Sequence, residues 1–135
     1  MKSVIDTNVV ISATFFGGIP RKVIDLVVDE NISAYTNSEI MTEYDVTAAK
    51  MTNKKNGHID QELFDQFMDK VEVIDAVAEV DVCRDPDDNK FIACAIDAQA
   101  IFVVSGDKDL LSVEHYDAIE IVTAKDFYER YISQL

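Results

Sequence analysis

The chain has 135 residues, 48% hydrophobic and 28% charged, a balance that suits one globular domain with a real core and excludes a disordered chain. Twelve basic against 26 acidic residues leave a net charge of −14, which speaks against loose binding to nucleic acid through a basic surface. It leaves open a nucleic-acid enzyme whose acids gather in one place and hold cations.

Taken in chain order, "MKSVIDTNVVIS" opens with an apolar stretch that an acid interrupts after three residues, unlike a secretory signal. No run of about 18 apolar residues occurs anywhere, so no membrane span is expected and the location expected is cytoplasmic. "KSVI" reads as a short buried strand, and "TNVVISATFF" either continues it or turns into a helix. Pro20 begins a helical pattern through Glu30 with Val23, Ile24, Val27 and Val28 on one side. "ISAYT" is a second strand; Asn37 or Ser38 then caps a helix to about Thr52, its inner face made by Ile40, Met41, Tyr44 and Ala48.

Within "AAKMTNKKNGH" four bases and no acid occur, which reads as a solvated helix end and turn. Lys50, Lys54 and Lys55 are its candidates for touching phosphate. Asp60 to Lys70 forms another amphipathic helix, and "VEVID" is a candidate strand. In "CRDPDDNKFIACAI", a run of acids and Asn89 leads into a nearly all-apolar central helix over 88–98. "AIFVVS" is the clearest buried strand, "AIEIV" the last, and Thr123 to Asp126 begins a final helix like a capping box. Strands alternating with helices imply a parallel sheet covered on both faces. Cys83 and Cys94 have no metal-ligand spacing and read as structural thiols, and His58 and His115 as surface residues.

Ligands of such sheets bind beyond the carboxyl ends of the strands. Asp6 ends the first strand, Asp107 and Asp109 follow "FVVS", and Asp88 stands where the central helix starts. Glu43 borders the core face of its helix. Each alone is an ordinary cap or turn residue. Several at one end would repel one another, and a cation resolves that repulsion. Oxygen-only ligands suit Mg²⁺ or Mn²⁺.

Asp6-Thr7-Asn8, Ser38 to Glu43-Tyr44, "RDPDDNKFIACAI" and "SGDKDLL" together resemble the successive motifs of PIN domains, over residues 3 to about 123. The resemblance implies a three-layer α/β/α fold with a central, mainly parallel sheet, as a single domain over residues 1–135. It implies a small metal-dependent nuclease, many of which are ribonuclease toxins of toxin–antitoxin pairs. Carried over by position, Asp6, Glu43, Asp88 and Asp107 match the catalytic and metal-binding acids, with Asp109 a supporting ligand and one or two Mg²⁺ or Mn²⁺ ions. Thr7, Asn8 and Ser105 match supporting polar positions. Among Asp85, Asp87 and Asp88, the last is preferred because Phe91, Ala93 and Ala95 then fall on the family's apolar and small positions. RNA as substrate, a small antitoxin as partner and a homodimer are implied in the same way.

Three rivals are weighed on particular residues. A receiver domain needs adjacent acids after the first strand, where Asp6-Thr7 offers one. A haloacid-dehalogenase-like phosphatase needs Asp where Asn8 stands. A calcium loop from Asp85 would have Lys90 at its turn glycine and Ile96 at its closing Glu. A catalytically weak PIN-like binding module and a housekeeping RNA-processing nuclease remain as alternatives.

Overall fold

A computed structural model describes residues 1–54 and 58–135. Its centre is one sheet in the order β3-β2-β1-β4-β6-β5. The strands are β1 (Lys2–Ile5), β2 (Ser33–Thr36), β3 (Glu72–Val73), β4 (Phe102–Val104), β5 (His115–Tyr116) and β6 (Ile119–Val122). All neighbours pair in parallel except β5, which runs antiparallel to β6. The helices are α1 (Thr7–Phe16), α2 (Gly18–Val28), α3 (Ser38–Lys54), α4 (Gln61–Lys70), α5 (Asn89–Ala98), α6 (Lys108–Leu111) and α7 (Ala124–Ser133). A sheet of mostly parallel strands between helices is the three-layer α/β/α arrangement expected.

The core follows from continuous apolar strands. Val4, Ile5, Val103 and Val104 are fully buried, as a parallel sheet covered on both faces requires. Helix α5 packs across β1, β2, β4 and β6 with Phe91, Ile92, Cys94 and Ala95 inside. Helix α2 contacts α1, α4 and α7, and α1 also contacts α3. Burial raises the Cys83 thiol to about 11 and the Cys94 thiol to about 12, so both stay protonated and inert.

The structure selects among the boundaries that the sequence left open and changes others, each for a local reason. "TNVVISATFF" is helical from Thr7, because the Asp6 carbonyl accepts from the Val9 and Val10 amides and starts the ladder. Asn37, not Ser38, caps α3, its Oδ1 accepting from the Ile40 amide at 3.0 Å. "VEVID" supplies only the two-residue edge strand β3. Beyond it the chain is tied by side chains instead of a ladder: Asp97 accepts from the Val77 and Ala78 amides, and Asn89 Oδ1 from those of Val82 and Cys83. Strand β5 has no alternation to announce it, and its turn needs positive φ at Asp117 (51°).

The strand order reverses between β1 and β4. From β1 the chain builds β2 and β3 on one side, then returns to place β4 on the other. The carboxyl ends of β1 and β4 therefore meet at the switch point of the sheet, where ligands of such folds bind.

Candidate functional site

Asp6 leaves β1 and stands before α1 in extended conformation, yet its carboxylate makes no capping bond to that helix. Instead its Oδ2 accepts a 2.6 Å hydrogen bond from Ser105 Oγ, at the end of β4. Ser105 Oγ accepts in turn from the Asp107 amide at 2.9 Å, and Asp107 Oδ1 from the Asp109 amide at 2.7 Å. This chain of bonds fixes the first and last acids relative to each other across adjacent strands. Asp6 is buried, and desolvation raises its pKa to about 6 against the opposing Ser105 bond.

Asp88 ends a single 3-10 turn, Pro86–Asp88, immediately before α5. It is 7% exposed, and its Oδ2 has no hydrogen-bond partner. Burial, then the charges of Asp107, Asp85, Asp6 and Asp109, raise this carboxyl to about 6 as well. Asp88, Asp107 and Asp109 each offer an oxygen, and these oxygens all lie within 4.8 Å of one another. An unpartnered buried carboxylate facing two more is unfavourable unless a cation joins them. The oxygen-only donor set fits a hard divalent ion.

The neighbouring residues of the acidic run have other work. Asp85 accepts from the Asp87 amide at 3.0 Å, and Asn89 holds the loop at Val82 and Cys83. Asp87 has a side chain 66% exposed and pairs with Lys90 at 2.9 Å. Only Asp88 of the run is left without a structural bond at its buried oxygen.

Glu43 reaches the site from α3. Its neighbour Tyr44 is buried and its hydroxyl donates to the carbonyl of Ile5, the residue before Asp6, which braces α3 against β1. Glu43 accepts from Thr7 Oγ1 and pairs with Lys90 Nζ at 2.6 Å. Thr7 thus steadies Glu43 through its hydroxyl, and the Asn8 residue is exposed. The sequence reading passed over Lys90. Its signal was the spacing of three from Asp87 at the start of a helix, which puts both on one face.

Lys50 and Lys54 are exposed towards the end of α3, roughly 10 and 16 Å along the helix from Glu43 at 1.5 Å per residue. Lys55 lies outside the described residues. His58 and His115 are exposed. No helix among the described residues is long and apolar enough to cross a membrane.

The family model described as "PIN domain" matches residues 2–109. The chain is 34% identical over 143 residues to uncharacterized protein MJ1680 of Methanocaldococcus jannaschii, covering 97% of this chain and 92% of that one. Among solved structures, VapBC2 from Rickettsia felis, crystallised with a DNA fragment from its promoter, superposes with a TM-score of 0.61 at 16% identity, covering 90% of this chain and 97% of that one. The PilT N-terminus domain protein SSO1118 of Sulfolobus solfataricus P2 gives 0.55 at 18% identity, covering 97% and 93%. These two likenesses concern the fold.

Proposed function

The chain belongs to the PIN domain family, and from that premise we propose that it is a metal-dependent endoribonuclease serving as the toxin of a toxin–antitoxin pair. The observation that carries the nuclease reading is Asp88: a buried carboxylate with an unpartnered oxygen, in a residue that brings a carboxylate oxygen within 4.8 Å of those of Asp107 and Asp109. Asp88, Asp107 and Asp109 would hold Mg²⁺ or Mn²⁺, with Asp6 and Glu43 as the carboxylate wall around it. The ion, when bound, makes water more acidic and offsets charge developing on the phosphodiester.

The remaining work falls to the chain. Ser105 orients Asp6, and Thr7 with Lys90 orients Glu43. The attacking water gives its proton to a carboxylate of the set that does not hold the ion, and Asp6, oriented by Ser105, is the residue proposed for that role. No side-chain nucleophile is required, and the inert thiols supply none.

Substrate approach must overcome the chain's negative charge. The exposed Lys50 and Lys54 are the proposed phosphate contacts, which makes RNA binding weak and salt-sensitive. The toxin reading draws on the fold shared with VapBC2 and on an acidic surface suited to a basic antitoxin. Action on RNA implies a cytoplasmic location.

The test is a labelled single-stranded RNA incubated with the protein in Mn²⁺ or in EDTA. Internal cleavage in Mn²⁺ alone is expected, with binding weakened by Lys50→Glu and Lys54→Glu together. RNA left intact in Mn²⁺ by folded protein would leave the binding-module alternative standing. Cleavage without growth arrest on expression would favour the housekeeping nuclease.

A further inference from the structure

Lys90 is the one basic side chain ion-paired with the acids of this site among the described residues. Its ammonium lies 2.6 Å from Glu43 Oε1 and 2.9 Å from Asp87 Oδ2, with only 9% of the side chain exposed. The other Glu43 oxygen, Oε2, accepts from Thr7. Glu43 is thus engaged at both oxygens, once by a fixed positive charge. Asp88 stands in contrast: its buried Oδ2 has no partner, and it faces two more acids. The carboxylates fall into two unlike groups, one neutralised by the protein and one not.

Resting on the reading of this site as a metal-dependent nuclease centre, we infer that Lys90 is a positioning residue and internal counter-ion that limits the centre to a single divalent ion. The ion lies on the side of Asp88, Asp107 and Asp109, and the ammonium supplies the positive charge on the side of Glu43. A divalent ion bound to Glu43 Oε1 at about 2.1 Å would lie no more than about 5 Å from Lys90 Nζ, in a largely buried setting where like charges are poorly screened. Displacing the ammonium instead would leave a mostly buried positive charge with only the exposed Asp87 as its ion-pair partner. Either route opposes a second ion at Glu43. A clamp that merely tied α5 to α3 would have no such effect on ion number.

The experiment is a Mn²⁺ titration of the whole protein, read by calorimetry and by the electron paramagnetic resonance signal of free Mn²⁺, with no substrate present. Wild type and Lys90→Arg, which keeps the charge, are expected to bind one ion. Lys90→Met is expected to bind two, and adding Glu43→Gln to it returns the number to one. Two ions in wild type, or one in a folded Lys90→Met protein, overturns the role of Lys90 while leaving the metal centre intact. No ion in wild type, with Asp88→Asn behaving identically, overturns the nuclease-centre reading itself. Should Lys90→Met fail to fold, Glu43→Gln alone decides: affinity for the single ion within about threefold of wild type supports the inference, and a loss of about tenfold or more, as for a lost ligand contact, overturns it.

Discussion

Asp88→Asn is expected to cut Mn²⁺-dependent RNA cleavage by about a hundredfold or more, while the metal-free protein becomes more stable. The replacement keeps size and an acceptor oxygen but removes the charge that a hard cation needs. It also removes a carboxylate that burial and four neighbouring acids disfavour, since Asp88 is raised to about 6 from an ordinary 3.8. The stability gain at pH 7.5 should be on the order of 1–3 kcal/mol. Asp85→Asn keeps the acceptor that meets the Asp87 amide, and Asp87→Asn alters an exposed side chain. Both should retain most activity. Assays of the three variants side by side, with urea denaturation in EDTA, check the assignment. Full activity in Asp88→Asn with loss in Asp87→Asn would move the metal ligand by one residue.

Stability of the metal-free protein should fall as pH rises from about 4 to about 6. Asp6 and Asp88 are both raised from 3.8 to about 6, so between those values the folded state binds more protons than the unfolded chain. Their destabilising effect is absent below pH 3.8, grows through the window and is complete above about 6. Each contributes on the order of 2–3 kcal/mol at full ionisation. Glu30 and Glu120, held low by Lys70 and Arg130, act with the opposite sign, but these surface pairs are screened and weigh less. Urea denaturation in EDTA across this range reads the slope directly. Stability that climbs steadily from pH 4 to 6 would contradict the burial of two strained carboxylates.

Much of this was legible in the residues because a parallel sheet writes itself plainly. "AIFVVS" could only be a buried strand, and the helix over 88–98 had to be central, since Phe91 to Ile96 are apolar without a break. The acids at strand and helix ends followed from the same pattern, and the family likeness selected Asp6, Glu43, Asp88 and Asp107 from many. Geometry added what spacing cannot carry. That Asp6 turns from its own helix to Ser105, 99 residues away, is a tertiary contact with no local trace. The choice of Glu43 as the partner of Thr7 and Lys90 is another. Strand β5 and helix α6 were invisible for a different reason: at two and four residues they are too short for any periodicity to register.

The central claim is that these acids await a divalent cation, and its most direct measurement is the wild-type melting curve at pH 7.5 with and without millimolar Mn²⁺ at matched ionic strength. Binding at a hundred times the dissociation constant adds about 2.7 kcal/mol, a rise in Tm of roughly 10 °C for a chain of this size. That rise is the predicted result. A curve that Mn²⁺ moves no further than the matched salt does would contradict the account.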